Sequence, residues 1–106
     1  MKKLSTRQAQ AIESLTYQKN YLNITFKTEW YQEDITALVN LLLSPIKSLV
    51  IKEKNIGADR EDVRFSWHAC YFVLSFDYYS QSCWIEGQDS AAIEFLKALQ
   101  LVIEQG

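Results

Sequence analysis

Two periods of hydrophobic and polar residues divide the chain. In 21–27, Leu22, Ile24 and Phe26 share one parity while Asn23, Thr25 and Lys27 take the other, which predicts a half-buried strand. The same alternation predicts a strand over about 61–67, with Val63, Phe65 and Trp67 set against Asp62, Arg64 and Ser66. In the stretch after Cys70, Phe72, Leu74 and Phe76 face one way; Tyr71, Val73, Ser75, Asp77 and Tyr79 face the other. "IKSLVIKEK" (46–54) reads as a strand with lysines at its outer positions, and "SCWIEG" (82–87) as a short closing strand. Leu15–Tyr17 allows one more short strand. Helical spacing appears twice: Ile35, Leu38, Val39 and Leu42 predict a helix from about Tyr31 to Leu43, with Glu33 and Asp34 near its positive end. Phe95, Leu96, Leu99, Val102 and Ile103 predict a C-terminal helix that Asp89 or Ser90 can cap. Residues 1–13 are mostly polar and read as a loose helical turn or frayed tail.

Turn chemistry joins these pieces. Pro45 stops the first helix, Gly57 suits a turn with positive φ, and Asp59 can bond neighbouring amides. Turns are expected near His68-Ala69 and Ser80-Gln81, and Gly87 ends the last strand. The result is one α+β domain over 1–106, a mostly antiparallel sheet with two helices packed on one face, in β-α-β-β-β-β-α order with a possible extra N-terminal strand. That order resembles the topology of TATA-binding-protein-like folds, a likeness of architecture only.

"GADR" (Gly57–Arg60) and the closing Trp84-Ile85-Glu86 strand resemble a family of small proteobacterial proteins classed as a domain of unknown function. The resemblance implies a bacterial, cytoplasmic protein and carries no activity.

Charge removes several functions. Eleven Lys and Arg are scattered among 13 Asp and Glu, giving a net charge of −2, so the basic footprint that a nucleic-acid backbone requires is missing. "MKKLSTRQAQ" has no apolar run after its lysines and does not read as a signal peptide, and "ALVNLLLSPIKSLVI" is too interrupted to span a bilayer. Two cysteines without a secretory signal suggest free thiols in a reducing cytoplasm.

The reactive-looking residues have bland readings. His68 and Cys70 are two apart, but the inferred turn lies between them, so no catalytic residue is assigned. With a hairpin turn near residue 79 or 80, Cys83 lies opposite about Phe76, some 20 Å from Cys70 at ~3.3 Å per residue, which argues against a disulfide. One His and two Cys at scattered spacing form no zinc motif. The acidic run Asp59, Glu61 and Asp62 lacks the alternate-oxygen pattern of a calcium loop, so Gly57, Asp59 and Arg60 are read as bracing the loop. No metal or cofactor is expected.

The sheet face away from the helices is the better candidate. It should carry Tyr71, Val73, Tyr79 and Trp84, with Arg64, His68, Asp77 and Glu86 around them, and aromatic rings rimmed by charge mark interfaces. The alternative is that the N-terminal segment folds back over the rings. An aromatic sheet also resembles single-stranded RNA platforms, but the acidic balance argues against one. The leading expectation is a non-enzymatic protein-binding or homodimerisation module. The rivals are a small-ligand protein or enzyme with a site near Gly57–Arg60, using Asp59, Arg60, His68 or Glu86, and a purely structural domain of a larger assembly.

Overall fold

A computed structural model describes residues 11–105. Strands β1 (Ile12–Tyr17) and β2 (Tyr21–Phe26) form a hairpin; a 3-10 turn (Gln32–Asp34) runs into helix α1 (Ile35–Leu43). Strands β3 (Val50–Ile56), β4 (Arg60–Trp67), β5 (Cys70–Asp77) and β6 (Ser82–Gly87) follow, and helix α2 (Ser90–Gln105) closes the described chain. The sheet order is β1-β2-β6-β5-β4-β3, and every neighbouring pair is antiparallel. After β2 the chain passes through α1 to the far edge of the sheet. It then meanders back until β6 pairs with β2.

This is the α+β architecture that the periodicity predicts, with β1 as the added strand. Ile12 and Glu13, grouped on sequence grounds with a frayed tail, belong to β1, where Ile12 is buried and pairs with Phe26. The rest of that predicted tail lies outside the described residues, apart from Ala11.

The inner face is built by cross-strand rows. Leu22, Ile85, Leu74 and Val63 stand opposite one another in succession, and so do Ile24, Cys83 and Phe76. Direct partners share a face, so each row delivers its side chains to one side. Ile35, Val39 and Leu42 of α1 and Ala92, Leu96, Leu99 and Ile103 of α2 complete one buried cluster with them. Phe72, Leu74 and Phe76 therefore look toward the helices, as their alternation predicts.

Three joints hold this layering. Asp89 accepts a hydrogen bond from the Ala92 N–H at 2.9 Å and caps α2, while Gly87 lets the helix start close against β6. A Cβ on Gly87 would stand 2.7 Å from the Ile93 nitrogen. Trp30, buried and edge-on to Phe76 at 5.5 Å, is gripped by Gln81: Oε1 accepts the Trp30 N–H at 3.0 Å and Nε2 donates to its carbonyl at 2.9 Å.

Several local expectations change. The first turn of the predicted Tyr31–Leu43 helix is 3-10, with the Tyr31 N–H bonded to Asp34 Oδ2 at 2.8 Å. Ile46 packs into the core, and Ser48 at φ 67 delays the start of β3 to Val50. Gly57 is not left-handed. Its place is set by room: its N–H donates to the Arg60 carbonyl at 2.7 Å, and a Cβ would lie 3.0 Å from that oxygen. His68 and Ala69 form the expected two-residue turn, both at positive φ (54 and 62).

Candidate functional site

The face opposite the helices is covered by none of the described elements. Its rows run across the strands: Tyr21, Glu86, Val73, Arg64 and Glu53, then Asn23, Trp84, Ser75, Asp62 and Asn55, then Ser82, Asp77 and Arg60. β2, β6, β5 and β4 each contribute alternate residues, so the parity that buries Leu22, Ile85, Leu74 and Val63 turns these outward.

Long side chains pave the middle of this face. The Arg60 guanidinium lies 5.2 Å from the Trp84 ring centroid, a cation–π distance, and its Nε is 3.6 Å from Asp62 Oδ1. Arg64 donates to Glu53 Oε1 at 3.2 Å and to Gln88 Oε1 at 3.4 Å. Under this cover Ser75, although on the outer parity, is 0% exposed, and its Oγ has no hydrogen-bond partner among the described residues. Beside the paving, Tyr21, Asn23, Ser82, Trp84 and Glu86 line a cleft of about 380 Å³.

The residues expected on this face divide. Trp84, Arg64, Asp77 and Glu86 stand together in its rows, and Tyr71 lies at its end opposite Ser66, 43% exposed. Tyr79 does not join them: it is in the β5–β6 turn, 80% exposed, with its ring 6.0 Å from that of Tyr78. His68 does not join them either. Its ring stacks on Phe95 of α2 at 5.6 Å and 10° and meets Trp67 edge-on at 4.4 Å, which ties it to the helix layer. Tyr21, Asn23 and Ser82 were missed as site residues, although Tyr21 shares the outward parity of Asn23 and Thr25.

The Gly57–Arg60 loop is braced by its main chain. Besides the Gly57–Arg60 bond, the Tyr78 N–H donates to the Asp59 carbonyl at 2.9 Å and Gln32 Nε2 donates to the Gly57 carbonyl at 3.1 Å. The Arg60 side chain turns away from Asp59 onto the sheet face. The acidic run is split by strand alternation: Asp62 points to the open face, while Glu61 lies on the inner parity, opposite Phe76 and Ile56. Burial pushes the Glu61 carboxyl above its ordinary value, against the smaller opposing pull of Lys54.

His68 and the loop stand at opposite ends of β4, about 23 Å apart at ~3.3 Å per residue, so they cannot share one site. A second cavity, about 470 Å³, lies at the His68 end, lined by residues that include Lys47, Ser48, Trp67 and Val102. Neither cavity is lined by the Gly57–Arg60 loop. Cys70 and Cys83 are both free and buried, with Cys83 opposite Phe76 as the register predicts. Burial raises the Cys83 thiol pKa, which makes it a core side chain and a poor nucleophile. Among the described residues no three His, Cys, Asp or Glu side chains gather where they could hold a metal ion, and no helix is long and apolar enough to cross a membrane.

Fold and site define an open-faced α+β protein whose free sheet surface carries an aromatic and arginine centre. Over residues 12–102 the chain matches the family described as "Protein of unknown function (DUF3630)", and it belongs to that family. Neither the curated proteins nor the solved structures contain a match.

Proposed function

We propose that this protein is a non-enzymatic protein-binding module that meets a partner protein, or a second copy of itself, through the open sheet face. The observation that carries this reading is the centre of that face, where Arg60 lies across Trp84 and the adjoining row places Tyr21 and Val73 on either side of Glu86. Trp, Tyr and Arg are the residue types that anchor protein interfaces, and a strand-borne platform presents them on a rigid surface. Six strands at ~4.8 Å spacing and about six residues of ~3.3 Å give a face of roughly 24 by 20 Å. That flat area of roughly 480 Å², before side-chain relief is added, is somewhat over half of the ~800 Å² that one partner contributes to a standard interface. Free Cys70 and Cys83 fit a reducing compartment, and we place the protein in the cytoplasm.

The test is the mass of the purified protein by light scattering across a dilution series, alone and mixed with extract of its host. Association is expected to be lost in Trp84→Ala and in Tyr21→Ala and retained in Lys97→Ala, which changes the helix layer. Circular dichroism checks that each variant is folded. A wild type that stays monomeric and captures nothing, or an association indifferent to Trp84, overturns the reading.

A further inference from the structure

We infer that the cleft beside Trp84 receives a basic side chain, so that the partner of the open face presents an exposed arginine or lysine there; this rests on the binding reading given above. Of the cations on the face, Arg60 is engaged by Trp84 and Asp62, and Arg64 by Glu53 and Gln88. Asp77, directly opposite Arg60 on the neighbouring strand, accepts a hydrogen bond from the Ser80 N–H at 3.3 Å. Glu86 forms no ion pair among the described residues, and it stands on the wall of the cleft. Around the cleft, the charge left uncompensated among the described residues is therefore acidic, and it lies between two aromatic residues.

The cleft combines the elements that select an organic cation. Tyr21, 39% exposed, is directly opposite Glu86 on the neighbouring strand, and Trp84 is next to it along the outward parity of β6. Aromatic faces attract a guanidinium or ammonium, and a carboxylate beside them supplies the counter-charge. Asn23 and Ser82 add polar groups on the same walls, and about 380 Å³ is at the low end of small-ligand pockets, room for a single side chain. The molecule already makes one such contact on the same tryptophan, through its own Arg60. An anionic side chain would instead meet Glu86, which no cation among the described residues pairs with.

The experiment titrates Nα-acetyl-arginine amide and Nα-acetyl-lysine amide into the protein and follows the indole N–H resonances of Trp30, Trp67 and Trp84 by NMR, with Nα-acetyl-glutamate amide as control. The expected result is a saturable shift confined to Trp84, with a dissociation constant on the order of millimolar for so small a probe. Glu86→Gln should weaken it roughly fivefold, as losing one exposed charge pair does. Glu33→Gln, the same charge change in the 3-10 turn, should leave it unaltered. Equal binding of the glutamate probe, no shift at Trp84, or equal affinity in the two variants overturns the inference. If association through the face is lost in Trp84→Ala yet survives Glu86→Gln undiminished, the basic-side-chain inference falls and the binding module stands. If association ignores Trp84, both fall.

Discussion

Glu61 illustrates how one position on a strand decides a residue's chemistry. In the sequence it sits between Arg60 and Asp62 and reads as part of a charged loop, but its parity matches Val63 and Phe65 and sends it inward. Burial disfavours its charged form and raises its pKa from the ordinary 4.5, so the folded state holds the proton to a higher pH than the unfolded chain does. Between the two values the native state binds more protons, and stability falls as pH rises through that window. Glu61→Gln keeps the shape and removes the titration. In urea unfolding it should match the wild type below about pH 4 and exceed it at about pH 7. Equal wild-type and variant stabilities at both pH values would show that the carboxylate is adequately solvated where it stands. The alternation held the information needed to place Glu61. Proximity to Asp59 and Asp62 masks that parity in the sequence, and Tyr21 is masked likewise because its strand carries a single ring on the outer parity.

At the scale of the element, the β4–β5 hairpin closes on a turn that its residues do not favour. A two-residue turn with both central φ values positive matches the twist of its strands, and Asn-Gly is the usual occupant. Here His68 and Ala69 hold φ 54 and 62. An alanine in the left-handed region is strained by about 1–2 kcal/mol, and Ala69 is exposed and has no packing to lose. Ala69→Gly should therefore stabilise the protein by about 0.5–1 kcal/mol, the relief being partly offset by the freedom glycine gains in the unfolded chain. A shift in the denaturation midpoint at unchanged slope measures it, and a loss of stability would mean that the turn is held by something other than backbone fit. The strand and helix periods were legible because a half-buried element must repeat. The turns at His68-Ala69 and Ser80-Gln81 were legible too, but not what distant groups do there: Gln81 clamps Trp30 across 51 residues of sequence and confines Tyr78–Gln81 to the turn, which removes Tyr79 from the sheet face. His68 left the predicted site for the same reason, drawn to Phe95 on a helix far along the chain.

For the whole molecule, a sheet that binds through its face must keep its edges from binding instead. β1 and β3 are the two outer strands, and each departs from regular pairing once, at Glu13 and at Lys52. β3 is exposed along its whole length, with Val50, Ile51 and Ile56 uncovered, Ile56 at 72%. Such a strand is a template for unwanted pairing unless charge or a bulge blunts it. Lys52 and Lys54 supply the charge, and the register break at Lys52 supplies the bulge. Replacing both lysines with valine turns "VIKEKNI" into an apolar, β-favouring edge with one acid left. The double variant should form assemblies that grow with concentration, visible by sedimentation, and adding Trp84→Ala should not dissolve them because the contact runs along the edge. If the double variant instead kept the wild-type mass at every concentration, the bulge alone would be guarding β3. If its assemblies dissolved on loss of Trp84, the face would be the contact even in the variant. In either case the lysines would not be what reserves association for the tryptophan face.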